Sequence, residues 1–145
     1  MLNRILILST TLFLCSCYVC NYDFYSDVLI DKSIKVNQDE ALRFSVDVDS
    51  HSQADKLHLF LMPLYNFEIV DISVKFDSLD VDLEQVGRCV DYNYLYTCPD
   101  FKKVIEASDY LQLKVIIKDK TTSKIQTKEY KLYKEKKCNF LFVLH

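Results

Sequence analysis

Leu42-Arg43-Phe44-Ser45-Val46-Asp47-Val48-Asp49 decides the fold. Leu42, Phe44, Val46 and Val48 occupy every second position, with Arg43, Ser45, Asp47 and Asp49 between them. A period of two puts one set on each face of an extended strand, one for a core and one for water. The polar stretch Ser50 to Asp55 follows. Leu57, Leu59 and Leu61 then alternate with His58, Phe60 and Met62. Two such runs around a polar connection predict a hairpin.

The same rhythm extends outward. Ile34 and Val36 open a first strand. Ile72, Val74 and Phe76 continue the alternation, and Leu79, Val81 and Leu83 are opposed by Asp80, Asp82 and Glu84. Leu111, Leu113, Val115 and Ile117 alternate with Gln112, Lys114, Ile116 and Lys118. Asp119 to Ser123 is a turn into a returning strand, Lys124 to Lys134, and Phe140 to Leu144 reads as a buried closing strand. Only 99–108 breaks the pattern. Pro99 suits a first helical turn, and Val104 and Ile105 face inward from a short helix or turn there. Seven or eight short strands predict an all-β, antiparallel β-sandwich, immunoglobulin-like or transthyretin-like. A small closed barrel is the alternative.

Composition agrees with a folded domain. Of 145 residues, 50% are hydrophobic and 27% charged, which suits a globular chain and not a disordered one. With one glycine (Gly87) and two prolines, most turns must fall to Asn, Asp, Ser and Lys. The net charge of −3 is unevenly spread: Tyr18 to Asp100 holds 16 acids and 6 bases, Phe101 to His145 holds 5 and 11. Acidic and basic strands pairing in one sheet explain this split, and so does electrostatic docking of a partner.

The first residues are not domain sequence. Arg4 supplies a positive start, and Ile5 to Leu14 is an apolar run of ten residues. That is half the length a membrane-spanning helix needs and the right length for a signal peptide. Leu14-Cys15-Ser16-Cys17 resembles the lipobox of bacterial lipoproteins, matching at Leu14, Ser16 and Cys17. The resemblance covers the signal alone and identifies no family for the mature domain. It implies cleavage before Cys17, which then carries acyl chains, palmitate among them, on its sulfur and amine. Several chains on one residue anchor stably. Tyr18, where Asp would retain an inner-membrane lipoprotein, implies sorting to the outer membrane, facing the periplasm. The alternative is ordinary cleavage and secretion. The expected organisation is a signal peptide at 1–16, a lipid-anchored tether at 17–24 and one sandwich domain at 25–145.

Cys15 leaves with the signal and Cys17 takes lipid, so Cys20, Cys89, Cys98 and Cys138 remain. An even number in an oxidising compartment predicts disulfides. Cys89 with Cys98 and Cys20 with Cys138 are the expected pairs.

No motif of catalysis stands out. His51, His58 and His145 lie near no evident nucleophile, and there is no nucleophile elbow, His-Glu-x-x-His or phosphate-binding glycine loop. Asp77, Asp80, Asp82 and Glu84 alternate with apolar residues, which makes a solvated strand face and not a converging metal site. No metal, cofactor or nucleic acid is implied. Tyr92, Tyr94 and Tyr96 share one face if 92–96 is a strand, and form either core or a recognition patch. With Asp80, Asp82 and Glu84 they are the candidate partner-binding residues. Lysines from Lys124 to Lys137 read as the guarded face of an edge strand, the alternative being contact with anionic headgroups. The expected function is a non-enzymatic envelope lipoprotein that binds a protein partner in the periplasm, as an adaptor of a secretion or surface machine or as a toxin-immunity protein. The alternatives are a soluble secreted binding module without lipid, or a small envelope enzyme with His58 or the acidic row in a concave pocket.

Overall fold

The computed structural model describes residues 17–49, 56–77, 83–89, 92–98 and 100–141, with the backbone alone at 17–19, 49, 84–89 and 139–141. The strands are β1 (Cys17–Tyr25), β2 (Leu29–Asp31), β3 (Val36–Gln38), β4 (Leu42–Asp49), β5 (Lys56–Pro63), β6 (Phe67–Phe76), β7 (Glu84–Cys89) and β8 (Asn93–Thr97). A helix, α1 (Phe101–Ala107), precedes β9 (Tyr110–Asp119) and β10 (Ile125–Leu141).

The expected hairpin is present, with β4 and β5 pairing antiparallel from Leu42 opposite Pro63 to Asp49 opposite Lys56. Hydrogen bonding joins all ten strands into one sheet in the order β6-β9-β10-β1-β4-β5-β8-β7, with β2 and β3 added beside β4. Three strand spacings separate β1 from β6, about 14 Å along the sheet. Yet the rings of Phe24 and Phe76 are 5.9 Å apart, edge to face. Phe44 of β4 likewise meets Tyr130 of β10 at 4.5 Å. The sheet therefore folds over, and its two halves enclose the core as a sandwich. The alternating residues fill that core: Phe44, Val46, Leu57, Leu59, Leu61, Leu111, Val115, Ile117 and Leu132 are fully buried.

Helix α1 replaces strand where the sequence breaks rhythm. It buries Phe101, Val104 and Ile105, and the Phe101 ring meets Phe76 at 6.1 Å. The Lys134 ammonium donates to the carbonyls of Ile105 and Glu106 at 2.8 and 3.0 Å. Those are acceptors that the helix end leaves open.

Turns follow the scarcity of glycine. Asp39 accepts from the N–H groups of Ala41 and Leu42, and Asp119 from those of Thr121 and Thr122. Lys35, Tyr65, Tyr92, Asp100 and Ser123 take the left-handed conformation without being glycine. The tyrosines were not foreseen as turn residues.

Several boundaries differ from the expectation. Residues 17–24, expected as the tether, are strand and belong to β1, and Tyr22 and Phe24 are buried. The alternation of Tyr22 and Phe24 with Asn21 and Asp23 gives that segment one face for the core. The lysine-rich stretch is no edge strand, since β10 lies between β9 and β1. Its return and the closing strand are one continuous element up to Leu141. Ile34 stands exposed in the β2–β3 turn.

The chain divides into two units. Tyr22–Glu135 contains the sandwich and its core. The other comprises 1–21 and 136–145, and its described part is the start of β1 and the end of β10. There Cys20 and Cys138 form the expected disulfide, with Cα atoms 4.0 Å apart.

The expected Cys89–Cys98 bond is absent, and Cys98 is a free thiol. Register explains this. Cys89 stands opposite Asn93 at one end of the β7–β8 hairpin, while Glu84 faces Thr97, next to Cys98, at the other. Five strand residues, about 17 Å, lie between the two positions. A disulfide needs Cα atoms within about 7 Å.

Candidate functional site

The outward face of β6, β9 and β10 carries a groove of about 340 Å³. Strand register builds it row by row. Ser73 faces Lys114, and Lys114 faces Glu129; beside them Lys75 faces Gln112, and Gln112 faces Lys131. All six are exposed, while Leu113 and Tyr130, whose side chains are buried beneath, complete the lining. One pleat further, Tyr110 and Tyr133 face each other. The Lys131 ammonium lies 3.7 Å from the Tyr110 ring centroid and 5.3 Å from that of Tyr133. Cation–π attraction places its charge over these faces. The groove's lining holds the ammonium groups of Lys75, Lys114 and Lys131 and the carboxylate of Glu129. Its chemistry is that of anion recognition by flexible point charges, with Gln112 and Ser73 as neutral hydrogen-bonding groups.

Elsewhere, opposite charges are paired as the uneven charge distribution anticipates. Lys118 of β9 meets Glu68 of β6 at 3.2 Å, and Lys128 of β10 meets both Asp39 and Glu40 in the β3–β4 turn. Lys35 clamps the β2–β3 hairpin to the sheet, 2.5 Å from Asp23 and 3.1 Å from Asp47. Asp23 is buried, and Asp23 and Asp47 are cross-strand partners. Burial alone lowers the Lys35 pKa, but the hydrogen bonds and charges of the two carboxylates outweigh it and raise it.

Of the residues expected to bind a partner, the three tyrosines are described, and they do not form one exposed patch. Tyr94 and Tyr96 are core residues, 5% and 3% exposed, and offer no surface. Tyr92 is exposed but sits in the turn, with φ 63°, and so shares no strand face with them. Asp80 and Asp82 lie outside the described residues, as does the side chain of Glu84. The lipobox residues Leu14, Cys15 and Ser16 and the histidines His51 and His145 also lie outside them. Cys17 begins β1, described by its backbone alone. His58 does not line the groove. It stands half-buried on β5, opposite Asp47 and Leu95 in the other half of the sheet.

The groove residues Ser73, Lys75, Gln112, Lys114, Glu129 and Lys131 were each legible as outward-facing strand positions. What was missing was the pairing of the three strands. Lys75 and Lys131 are 56 positions apart in the chain and come together only through β9.

No family model, curated protein or solved structure matches this chain. Among the described residues no helix is long and apolar enough to cross a membrane.

Proposed function

We propose that this chain is a non-enzymatic lipoprotein of the bacterial envelope, anchored through Cys17, that binds a protein partner in the periplasm. The observation that carries the binding is the groove lined by lysines, Lys114 and Lys131 among them, on an open sheet face. Long side chains on a sheet present a charged surface that steers association and sets partner choice. The export assignment rests on Leu14-Cys15-Ser16-Cys17 and the short apolar run before it. An adaptor role in a secretion or surface machine and an immunity role against an incoming toxin both fit this surface. Gene neighbourhood distinguishes them, a toxin gene beside it favouring immunity and secretion genes favouring assembly.

Two measurements test the reading. Cys17→Ser shifts the protein from the membrane to the soluble envelope fraction and removes the lipid-dependent change in migration. An unchanged fractionation rules out the anchor. Crosslinking in intact envelopes yields one stoichiometric protein partner, lost when Lys75, Lys114 and Lys131 are all changed to Glu. Recovery of no such partner rules out the binding role.

A further inference from the structure

We propose that the outward face of β5, β8 and β7 receives a second copy of this chain, sheet against sheet, in a weak two-fold dimer. That face is separate from the lysine-lined groove and from the protein partner proposed above.

The two outward faces differ in composition. On β6, β9 and β10 the outward positions include Lys75, Lys114, Glu129 and Lys131. On β5 and β8 they include His58, Phe60, Met62, Asn93, Leu95 and Thr97, none of them Lys, Arg, Asp or Glu. Phe60 is exposed, and Met62 and Leu95 are half-buried. Charge stands at the border, with Arg43 and Asp47 on β4 and Lys56 at the start of β5. Antiparallel sheets ordinarily turn polar residues to water. An uncharged centre inside a polar rim is the anatomy of a protein–protein contact.

The face also fits itself. Register sets His58, Leu95 and Gly87 in one row and Phe60, Asn93 and Cys89 in the next. Phe60 projects, and Gly87, two strands and about 10 Å away, has no side chain. Gly87 is the single glycine of the chain. It does not take a positive φ, so the bulge between Gln85 and Gly87 does not require it for that conformation. The other use of a strand glycine is close approach by another group. A two-fold axis lying in the contact plane along β8 carries each Phe60 over the other copy's Gly87 and sets Leu95 against its own copy. Stacked sheets stand about 10 Å apart, a gap that a Phe ring crosses to reach bare backbone. Knob and hole on one patch are what a two-fold contact between identical chains needs. Four strands, β4, β5, β8 and β7, of about six residues each cover roughly 400 Å² on each copy. A stable standard interface takes about 800 Å² from each partner, so this dimer is weak and concentration-dependent.

Sedimentation equilibrium of the complete, disulfide-bonded chain tests this. Monomer and dimer are expected in exchange as concentration rises to about 1 mM. Phe60→Lys weakens association by at least about tenfold. Gly87→Val does the same while thermal stability holds or rises, since valine suits a strand better than glycine. Tyr133→Lys, an exposed aromatic on the other outward face, changes association by less than about twofold. Leu95→Cys joins its own copy through a short bismaleimide, and Tyr133→Cys does not. A chain that stays monomeric at about 1 mM overturns the dimer. Equal loss in Phe60→Lys and Tyr133→Lys overturns the face, and undiminished association of Gly87→Val overturns the fit of Phe60 over Gly87. A dimer that survives a denaturing, non-reducing gel is joined through cysteine and overturns it too. Phe60-dependent binding to phosphatidylglycerol vesicles by a chain that does not self-associate assigns the face to a membrane instead.

Discussion

The Tyr130 hydroxyl donates a 2.6 Å hydrogen bond to the Asp39 carboxylate, tying the lysine-rich strand β10 to the turn between β3 and β4. The same carboxylate accepts from the Ala41 and Leu42 N–H groups and lies 3.5 Å from the Lys128 ammonium. Burial by itself raises the Asp39 pKa. The Tyr130 hydroxyl, the two N–H groups and the Lys128 charge outweigh it and hold the carboxyl below its usual range. A depressed folded pKa contributes stability that is present above the unfolded value, about 3.9, and is lost as pH falls through the folded one. Thermal melts from pH 7 down to pH 2 should show this loss, and Asp39→Asn should flatten it. Asp39→Ala also strands three donors and should cost about 2–3 kcal/mol at neutral pH. A wild-type and Asp39→Asn pair with parallel pH profiles would contradict the assignment.

Two buried phenols govern the alkaline limit. Burial, then Tyr94 and Asp71, push Tyr96 up to about 12. Burial, then the bond to Asp39 and the charges of Asp39 and Glu40, raise Tyr130 well above the phenol range. A raised folded pKa contributes stability that is complete below the unfolded value, about 10, and declines as pH rises through the folded one. Both should resist ionisation in an ultraviolet titration until the protein unfolds. Tyr130→Phe and Tyr96→Phe should each remove one delayed phenol from the count.

Tyr96→Phe carries a second expectation. Its hydroxyl is buried with no hydrogen-bond partner among the described residues. Burying an unsatisfied hydroxyl costs about 1–3 kcal/mol. The substitution should leave the melting temperature unchanged or raise it, whereas Tyr130→Phe should lower stability by about 1–2 kcal/mol. Melting temperatures of the two variants, side by side, decide whether the two hydroxyls differ in this way.

The Cys20–Cys138 disulfide spans 118 positions. Closing so long a loop restricts the unfolded chain, and its removal should cost about 2–4 kcal/mol in denaturant unfolding. A non-reducing peptide map should contain the Cys20–Cys138 link and no Cys89–Cys98 link. Burial, then the Asp100 charge, raise the Cys98 thiol pKa. Cys98 should therefore react slowly with a thiol reagent near neutral pH until the domain is denatured.

Tyr65 is 93% exposed and holds φ at 50° in the β5–β6 turn. The left-handed conformation costs a residue with a Cβ about 1–2 kcal/mol, which glycine avoids at a smaller entropic cost. Tyr65→Gly should raise stability by about 0.5–1 kcal/mol, measured by chemical denaturation.

Much of the architecture was written in the chain. The period-two runs at 42–49, 57–62 and 111–117 encode strands with one apolar face because alternation is a local property of extended backbone. The break at 99–108 marked the helix, and Val104 and Ile105 were readable as its inward face. The short apolar start and Leu14-Cys15-Ser16-Cys17 gave the expectation of export by length and local pattern alone. Pairing was not readable, because register depends on which strands meet. Register separated Cys89 from Cys98, moved the lysine-rich strand from the edge to the interior of the sheet, and left Tyr94 and Tyr96 in the core. It also assembled Lys75, Lys114 and Lys131 from three strands into one groove, a placement that only the folded sheet could make.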